Sequence, residues 1–152
     1  MKLAIATDHA GFDFKESLRK ILEHGGHEVS DLGTFSPESC DYPDFALKVG
    51  EAVATGKAER GILICGAGHG MAIAANKVPG IRAATAYDDY SARLSREHND
   101  ANVLVLPARV IALTRGVELC KIFLDTPFQG GRHAARLSKI DEIEKKYSKG
   151  IS

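Results

Sequence analysis

The chain has 152 residues, the size of one domain with a core large enough to fold without a disulfide framework or a structural metal. Its 20 Lys and Arg residues balance its 20 Asp and Glu residues, so the net formal charge is zero and no nucleic-acid partner is expected. No stretch approaches the roughly 20 apolar residues of a membrane span, and the apolar segment before Asp8 is too short for a signal peptide. We therefore expect a cytoplasmic protein with no membrane partner. Residues 1–152 are expected to form a single domain.

Short apolar runs alternate with amphipathic segments along the whole chain. The runs predict five β-strands, at 3–7, 28–32, 61–65, 81–86 and 103–106. The amphipathic segments predict six helices, at 12–24, 43–55, 71–77, 89–98, 110–124 and 133–147. Such alternation is typical of right-handed crossovers and of a parallel sheet covered on both faces. We therefore predict an α/β fold, a three-layer α/β/α sandwich with a Rossmann-like five-stranded parallel sheet.

Several polar residues follow directly after predicted strands. Asp8 and His9 follow the first strand, Cys65 ends the third, and Arg109 comes just after the fifth. Ligands of open parallel sheets bind beyond the carboxyl ends of the strands. We therefore expect Asp8, His9 and Cys65 to share one crevice.

The segment 61–71, GILICGAGHGM, combines a buried-strand pattern with a cysteine and with three glycines after it. The small residues let backbone N–H groups converge on an anion, and the N-terminus of the helix that follows favours a thiolate at Cys65. A free cysteine at a strand end is equally typical of a small buried residue. The glycine spacing also resembles a dinucleotide fingerprint, but Met71 occupies the third glycine position, and no Gly-Lys-Ser/Thr ending marks a phosphate-binding P-loop.

The three cysteines are odd in number and widely spaced, which argues against a disulfide framework and against a metal site. Only Cys65 has a setting that favours reactivity; we expect Cys40 and Cys120 to be passive.

Two further clusters contain candidate ligands for an anionic substrate. Residues 96–102 end a helix before the fifth strand, and Arg132 and Arg136 lie four apart where the last helix opens. Guanidinium groups beside a helix N-terminus suit phosphate oxygens. The 96–102 cluster lies where helices return to the strand N-termini, so within one subunit it points away from Cys65. Both clusters reach the crevice only across an oligomer interface, or if the strand ends differ from the prediction.

The motifs form an ordered series over nearly the whole chain. They are Asp8-His9-Ala10-Gly11, Asp41-Tyr42-Pro43, Cys65-Gly66-Ala67-Gly68-His69-Gly70, Ala74-Ala75-Asn76-Lys77, His98-Asn99-Asp100-Ala101-Asn102-Val103-Leu104, and Gly130-Gly131-Arg132-His133 with Arg136. This series resembles the ribose-5-phosphate isomerase B family, the RpiB/LacAB sugar-phosphate isomerases. The resemblance implies interconversion of D-ribose 5-phosphate and D-ribulose 5-phosphate through a cis-enediolate, without a metal or organic cofactor. It also implies a homodimer or homotetramer with the site at the dimer interface, and a C-terminal helix that reaches the partner subunit.

The resemblance assigns a role to each motif residue. Cys65 is the base that moves a proton between C1 and C2, and His98 opens the furanose ring. The enediolate oxygens are held by Asn99 and by the backbone amides of Gly66, Ala67, Gly68, His69 and Gly70. Sugar hydroxyls are bound by Asp8 and Tyr42, and the phosphate by His9, Arg109, Arg132 and Arg136.

Two positions depart from the family pattern. Ala67 stands where many members have a threonine whose hydroxyl relays a proton between O1 and O2, and His69 stands where the residue is commonly apolar. Either His69, a water or the substrate's own oxygens take over this relay, or the preferred substrate differs. Allose or galactose 6-phosphate and a tetrulose phosphate therefore stay open as substrates, and so does a non-catalytic sugar-phosphate or nucleotide-binding module.

Overall fold

The computed structural model describes residues 1–148 and contains the predicted elements in the predicted order. The five strands are β1 Lys2–Thr7, β2 Glu28–Asp31, β3 Arg60–Cys65, β4 Ala83–Thr85 and β5 Val103–Pro107. The six helices are α1 Phe12–His24, α2 Tyr42–Ala54, α3 His69–Ala75, α4 Asp89–Glu97, α5 Leu113–Asp125 and α6 Arg132–Ser148. A single 3-10 turn, His9–Gly11, connects β1 to α1. Among the helices described in residues 1–148, none is both long and apolar enough to cross a membrane.

All strand pairs are parallel, and the strands lie in the order β2-β1-β3-β5-β4. The prediction of a Rossmann-like five-stranded parallel sheet is confirmed. From β1 the chain moves to β2 on one side, and β3 then returns to the other side of β1. This reversal places a crevice at the carboxyl ends of β1 and β3, where open α/β sheets bind their ligands.

Two apolar cores cover the two faces of the sheet, because successive strand side chains point to opposite faces. Ile62 and Ile64 of β3 pack with α1 and α5 side chains such as Leu18 and Phe123. Leu63 and Cys65 belong to the second core, with residues of α2 and α3. The sandwich therefore has three layers, and Cys65 lies at the end of the layer that α2 and α3 cover.

Four predicted boundaries are wrong by two or three residues, among them the end of α3, which is Ala75 rather than residue 77. Helix α3 begins at His69 rather than at residue 71, because Gly68 with φ +90° turns the chain sharply. Helix α5 begins at Leu113 rather than at residue 110, because the N–H groups of Val110 and Ile111 bond the Pro107 carbonyl in a turn. Strand β4 is shorter than the predicted 81–86. Arg109 lies in the loop between β5 and α5, where its N–H donates to the Gly66 carbonyl just after β3.

A buried lysine connects β2 to the end of β1. The Lys15 side chain is 0% exposed, and its Nζ lies 2.8 Å from both carboxylate oxygens of Asp31 and 2.8 Å from the Thr34 carbonyl. The segment that follows β2 pairs with β1. The Thr7 N–H donates to the Gly33 carbonyl at 2.8 Å, and the Thr34 N–H donates to the Thr7 carbonyl at 2.9 Å. The end of β1, where Asp8 begins the crevice, is therefore braced by a buried ion pair.

Substitution of Lys15 tests this brace. The change Lys15→Met keeps the length of the side chain but leaves the Asp31 carboxylate without its buried cation, so we expect a loss of about 3 kcal/mol in the free energy of unfolding. Urea denaturation measures this loss. The control Lys20→Met removes an exposed lysine from the same helix and should cost under about 0.5 kcal/mol. Equal losses in the two variants would contradict the role of Lys15.

Candidate active site

The crevice is built by the ends of three neighbouring strands. Register pairs Thr7 of β1 with Ile64 of β3 and Cys65 of β3 with Pro107 of β5. The Ala108 N–H donates to the Cys65 carbonyl at 2.8 Å, and the Arg109 N–H donates to the Gly66 carbonyl at 3.1 Å. The residues that follow β1, β3 and β5 therefore meet at one edge of the sheet, as the strand rule predicts.

Cys65 occupies the boundary between core and crevice. Its side chain is 7% exposed and belongs to the apolar core that α2 and α3 cover, together with Ala6 of β1 and Met71 of α3. A thiol in this position borders the crevice while most of its surface is shielded from solvent. Cys120 differs, since it is 0% exposed in α5 and burial raises the pKa of its thiol to about 12.

The segment after Cys65 carries a row of unpaired backbone donors. Among residues 1–148, no acceptor is bonded to any of the six N–H groups from Gly66 to Met71. The donors of Gly66, Ala67 and Gly68 precede α3, and those of His69, Gly70 and Met71 lie in its first turn, where no carbonyl within the helix can accept them. Such donors bond water or a ligand. We call residues 66–71 the anion loop. Its donors are suited to oxygens that carry negative charge.

Three glycines let side chains from other elements press against the anion loop. A Cβ on Gly70 would lie 2.7 Å from ring carbons of Tyr42, and a Cβ on Gly68 would lie 2.7 Å from Cγ2 of Thr85. A Cβ on Gly66 would lie 3.3 Å from Cδ of Arg109. The structure thus brings Tyr42 and Arg109, two predicted substrate ligands, directly onto the loop that follows Cys65.

Asp8 and His9 stand at the β1 side of the crevice. Asp8 is 8% exposed, and its Oδ1 accepts the Ala10 N–H at 3.0 Å. The Nδ1 atom of His9 accepts the Cys40 N–H at 3.2 Å. This bond places the proton of a neutral His9 ring on Nε2, so that Nε2 is a donor. Cys40, expected to be passive, therefore orients a predicted phosphate ligand through its backbone.

The other predicted site residues lie elsewhere in the same chain. His98 and Asn99 precede β5, whereas Cys65 pairs with Pro107 at the opposite end of that strand. At about 3.3 Å per residue, the two ends of β5 are about 13 Å apart. Arg132 and Arg136 are exposed on α6, whose His133 ring stacks on His98 at 4.0 Å between centroids. Within one chain, the structure does not bring this second cluster to Cys65.

His133, in the first turn of α6, is buried. It is 5% exposed, and burial lowers its pKa, as do His98, Arg132 and Arg136 nearby. The His98 and His133 rings lie nearly parallel, with an interplanar angle of 14°. The arrangement fixes the orientation of the His98 ring.

A cavity of about 710 Å³ lies at the amino ends of β4 and β5, away from Cys65. Asn99 lines it together with Leu137, Ile140 and Tyr147 of α6. Ile140 is 48% exposed and Tyr147 69% exposed, so this face of α6 presents apolar surface to solvent.

Two residues at the site carry hydrogen bonds that the sequence interpretation assigned to no role. Tyr87 donates from its hydroxyl to the Ala67 carbonyl at 3.1 Å, and Thr85 donates to the Gly68 carbonyl at 3.3 Å. The position of Tyr87 just after the fourth strand could have indicated a place at the site. The rule that ligands bind beyond the carboxyl ends of strands selected Asp8 and Cys65 in the same way.

The sequence matches the ribose/galactose isomerase family over residues 3–140. It is 46% identical over 145 residues to ribose-5-phosphate isomerase B of Escherichia coli, covering 95% of this chain and 97% of that protein. The structure of the Clostridium thermocellum ribose-5-phosphate isomerase B superposes with a TM-score of 0.95 at 55% identity, covering 97% of this chain and 99% of that one. The Mycoplasma genitalium enzyme, solved with bound ribulose 5-phosphate, gives a TM-score of 0.91 at 39% identity and covers 95% and 96% of the two chains.

These similarities in sequence and in backbone structure extend over nearly the whole chain. The chain therefore belongs to the ribose/galactose isomerase family.

Proposed function

We propose that this protein is an aldose–ketose isomerase that interconverts D-ribose 5-phosphate and D-ribulose 5-phosphate, a step of the pentose phosphate pathway. The observation that carries this proposal is the row of unpaired N–H groups directly after Cys65. Enolisation of a sugar moves negative charge onto the O1 and O2 oxygens. Each fixed donor aimed at such an oxygen is worth about 3 kcal/mol in the transition state.

Cys65 is proposed as the base for both proton transfers. Its thiolate removes the C2 proton of the open-chain aldose, the C–H electron pair forms the C1–C2 double bond, and O1 takes up negative charge. Transfer of the O2 proton to O1 and return of the first proton from sulfur to C1 leave a carbonyl at C2. The anion-loop amides stabilise the charged intermediate.

The substrate would be oriented by the residues around the crevice. Asp8 and Tyr42 are proposed to bind sugar hydroxyls, and His9 and Arg109 to bind phosphate oxygens. The side chain of Arg109 lies over Gly66, and Nε2 of His9 is free to donate. A planar guanidinium offers two parallel donors to phosphate oxygens.

The remaining groups would come from a second copy of the chain in a homodimer or homotetramer. The separation of Cys65 from His98 within one chain supports this proposal, as does the exposed apolar face of α6. The partner subunit's His98 opens the ring, the partner's Asn99 holds an enediolate oxygen, and the partner's Arg132 and the partner's Arg136 bind phosphate. We expect the C-terminal helix of each chain to reach the other subunit.

A longer or shorter sugar phosphate is the second candidate substrate, because Ala67 removes the relay hydroxyl expected in this family. Allose or galactose 6-phosphate and a tetrulose phosphate require the same chemistry in a pocket of different length. Initial rates on a panel of four-, five- and six-carbon sugar phosphates decide among them, and a protein without activity on any of them would be a binding module.

The change Cys65→Ala tests the proposed base. We expect kcat for ribose 5-phosphate to fall at least about 100-fold, since general base catalysis contributes about 10² or more. Proton NMR in heavy water measures this loss through exchange of the C2 hydrogen. Competitive inhibition by inorganic phosphate should stay within about twofold of the unchanged protein, because Cys65 takes no part in phosphate binding.

The control for this test is Cys120→Ala, which removes a thiol from the opposite core. It should retain full exchange of the C2 hydrogen. Full activity of the Cys65 variant would assign the base to another group.

Mixing two inactive variants tests the shared site. Cys65→Ala and His98→Asn each disable both sites of a homodimer, but a mixed dimer has one site with both residues intact. Random reassociation should therefore restore about a quarter of the unmutated activity in a two-fold dimer. Activity that stays at the level of the separate variants after subunit exchange would contradict a site shared between chains.

The change Ala67→Thr tests whether the absent hydroxyl limits turnover. We expect kcat on ribose 5-phosphate to rise severalfold, because the hydroxyl relays the proton between O1 and O2. Ala67→Val has the same shape without the hydroxyl and serves as the control. Unchanged steady-state kinetics in the threonine variant would remove this explanation.

A further inference from the structure

The carbonyl side of the anion loop is held by two hydroxyl groups from the end of β4. The Tyr87 hydroxyl donates to the Ala67 carbonyl at 3.1 Å, and Thr85 Oγ1 donates to the Gly68 carbonyl at 3.3 Å. The Gly68 carbonyl also accepts the Ala72 N–H at 3.3 Å. Two successive peptide groups of the loop are thus fixed from one side.

These bonds determine where the next two N–H groups point. In a trans peptide the carbonyl of one residue and the N–H of the next point in opposite directions. With the Ala67 and Gly68 carbonyls directed toward the end of β4, the N–H groups of Gly68 and His69 point away from it. The crevice lies on that side, because β5 separates β4 from β3 and β1. Both N–H groups lack an acceptor within residues 1–148.

The loop needs this support because its own sequence does not restrict it. Gly66, Gly68 and Gly70 alternate along it, and glycine adopts left-handed and right-handed conformations with similar ease. Rotation of the 67–68 or 68–69 peptide group would turn a carbonyl oxygen toward the crevice in place of an N–H. A carbonyl there would repel the oxyanion that the N–H stabilises.

The two hydroxyl donors are themselves well anchored. The Tyr87 N–H and the Asp88 N–H both donate to Ser91 Oγ, at 3.1 and 3.2 Å, and Asp88 accepts the Ser91 N–H at 2.8 Å. This capping box at the start of α4 fixes the backbone from which the tyrosine projects. Thr85 lies in β4, and its Cγ2 packs against the Gly68 backbone.

We infer that Tyr87 and Thr85 are positioning residues of the isomerase site, which hold the Gly68 and His69 N–H groups toward the reacting sugar oxygens. The inference rests on the proposed function. Neither residue needs to touch the substrate. Their effect falls on the charged intermediate, since the donors that they orient matter most when the oxygens are anionic.

The test removes each hydroxyl while keeping the shape of the side chain. For Tyr87→Phe and Thr85→Val we expect kcat on ribose 5-phosphate to fall about five- to tenfold and KM to change less than about twofold, the pattern of an interaction made in the transition state. Inhibition by the hydroxamate of phosphorylated erythronic acid, a planar analogue of the enediolate, should weaken by the same factor. Inhibition by inorganic phosphate should not change.

Three controls separate positioning from a general structural effect. Thr85→Ser keeps the hydroxyl and should retain most of kcat, while Tyr90→Phe alters an exposed tyrosine of α4 and should retain all of it. Thermal denaturation checks that Tyr87→Phe keeps the unmutated Tm, as expected for a residue that is 40% exposed. Rescue by Thr85→Ser, with hydroxamate binding weakened selectively in the valine and phenylalanine variants, supports the inference.

The inference is overturned if both variants keep the unmutated kcat, or if binding of hydroxamate and of phosphate weakens equally. In those outcomes the unmutated protein is still an active isomerase, and the proposed function stands. Absence of turnover on every sugar phosphate with the unmutated protein would overturn the proposed function and this inference together.

Discussion

The six backbone N–H groups of the anion loop have no acceptor among residues 1–148, and side chains from other elements pack against the loop. Unpaired donors cost free energy unless water or a ligand satisfies them. A loop with alternating glycines would readily turn to pair its own donors. It is prevented from doing so by the strand end at Cys65, by Arg109 and Tyr42 packed against it, and by hydroxyl groups bonded to its carbonyls.

The parallel sheet imposes a second constraint on the site. Every strand presents its carboxyl end at the same edge, so residues that precede β5 lie a strand length from residues beside its end. His98 and Asn99 fall in the first group, and Cys65 falls in the second. No change of loop conformation removes this separation, because it is set by the length of β5. A second subunit is the simplest way to unite the two halves, and the apolar surface of α6 is suited to such a contact.

The rigidity that the chemistry needs comes from polar groups that lie outside the predicted site. Lys15 braces the end of β1 through Asp31, and the stacked ring of His133 fixes the orientation of His98. The Cys40 N–H sets which nitrogen of His9 can donate. In each case a residue outside the predicted site holds or orients a residue inside it. Such supporting contacts are how proteins keep functional side chains in a fixed geometry.

The periodicity of apolar residues determined the element types and their order, since a buried strand and an amphipathic helix require different patterns. The rule that ligands bind beyond strand ends then selected Asp8 and Cys65 without any structure. Sequence did not determine that β5 lies between β3 and β4, because strand order follows from long-range packing. That order alone brings Arg109 onto Gly66 and lets Tyr87 reach the anion loop. These contacts join residues far apart in the chain, so only the tertiary structure decided them.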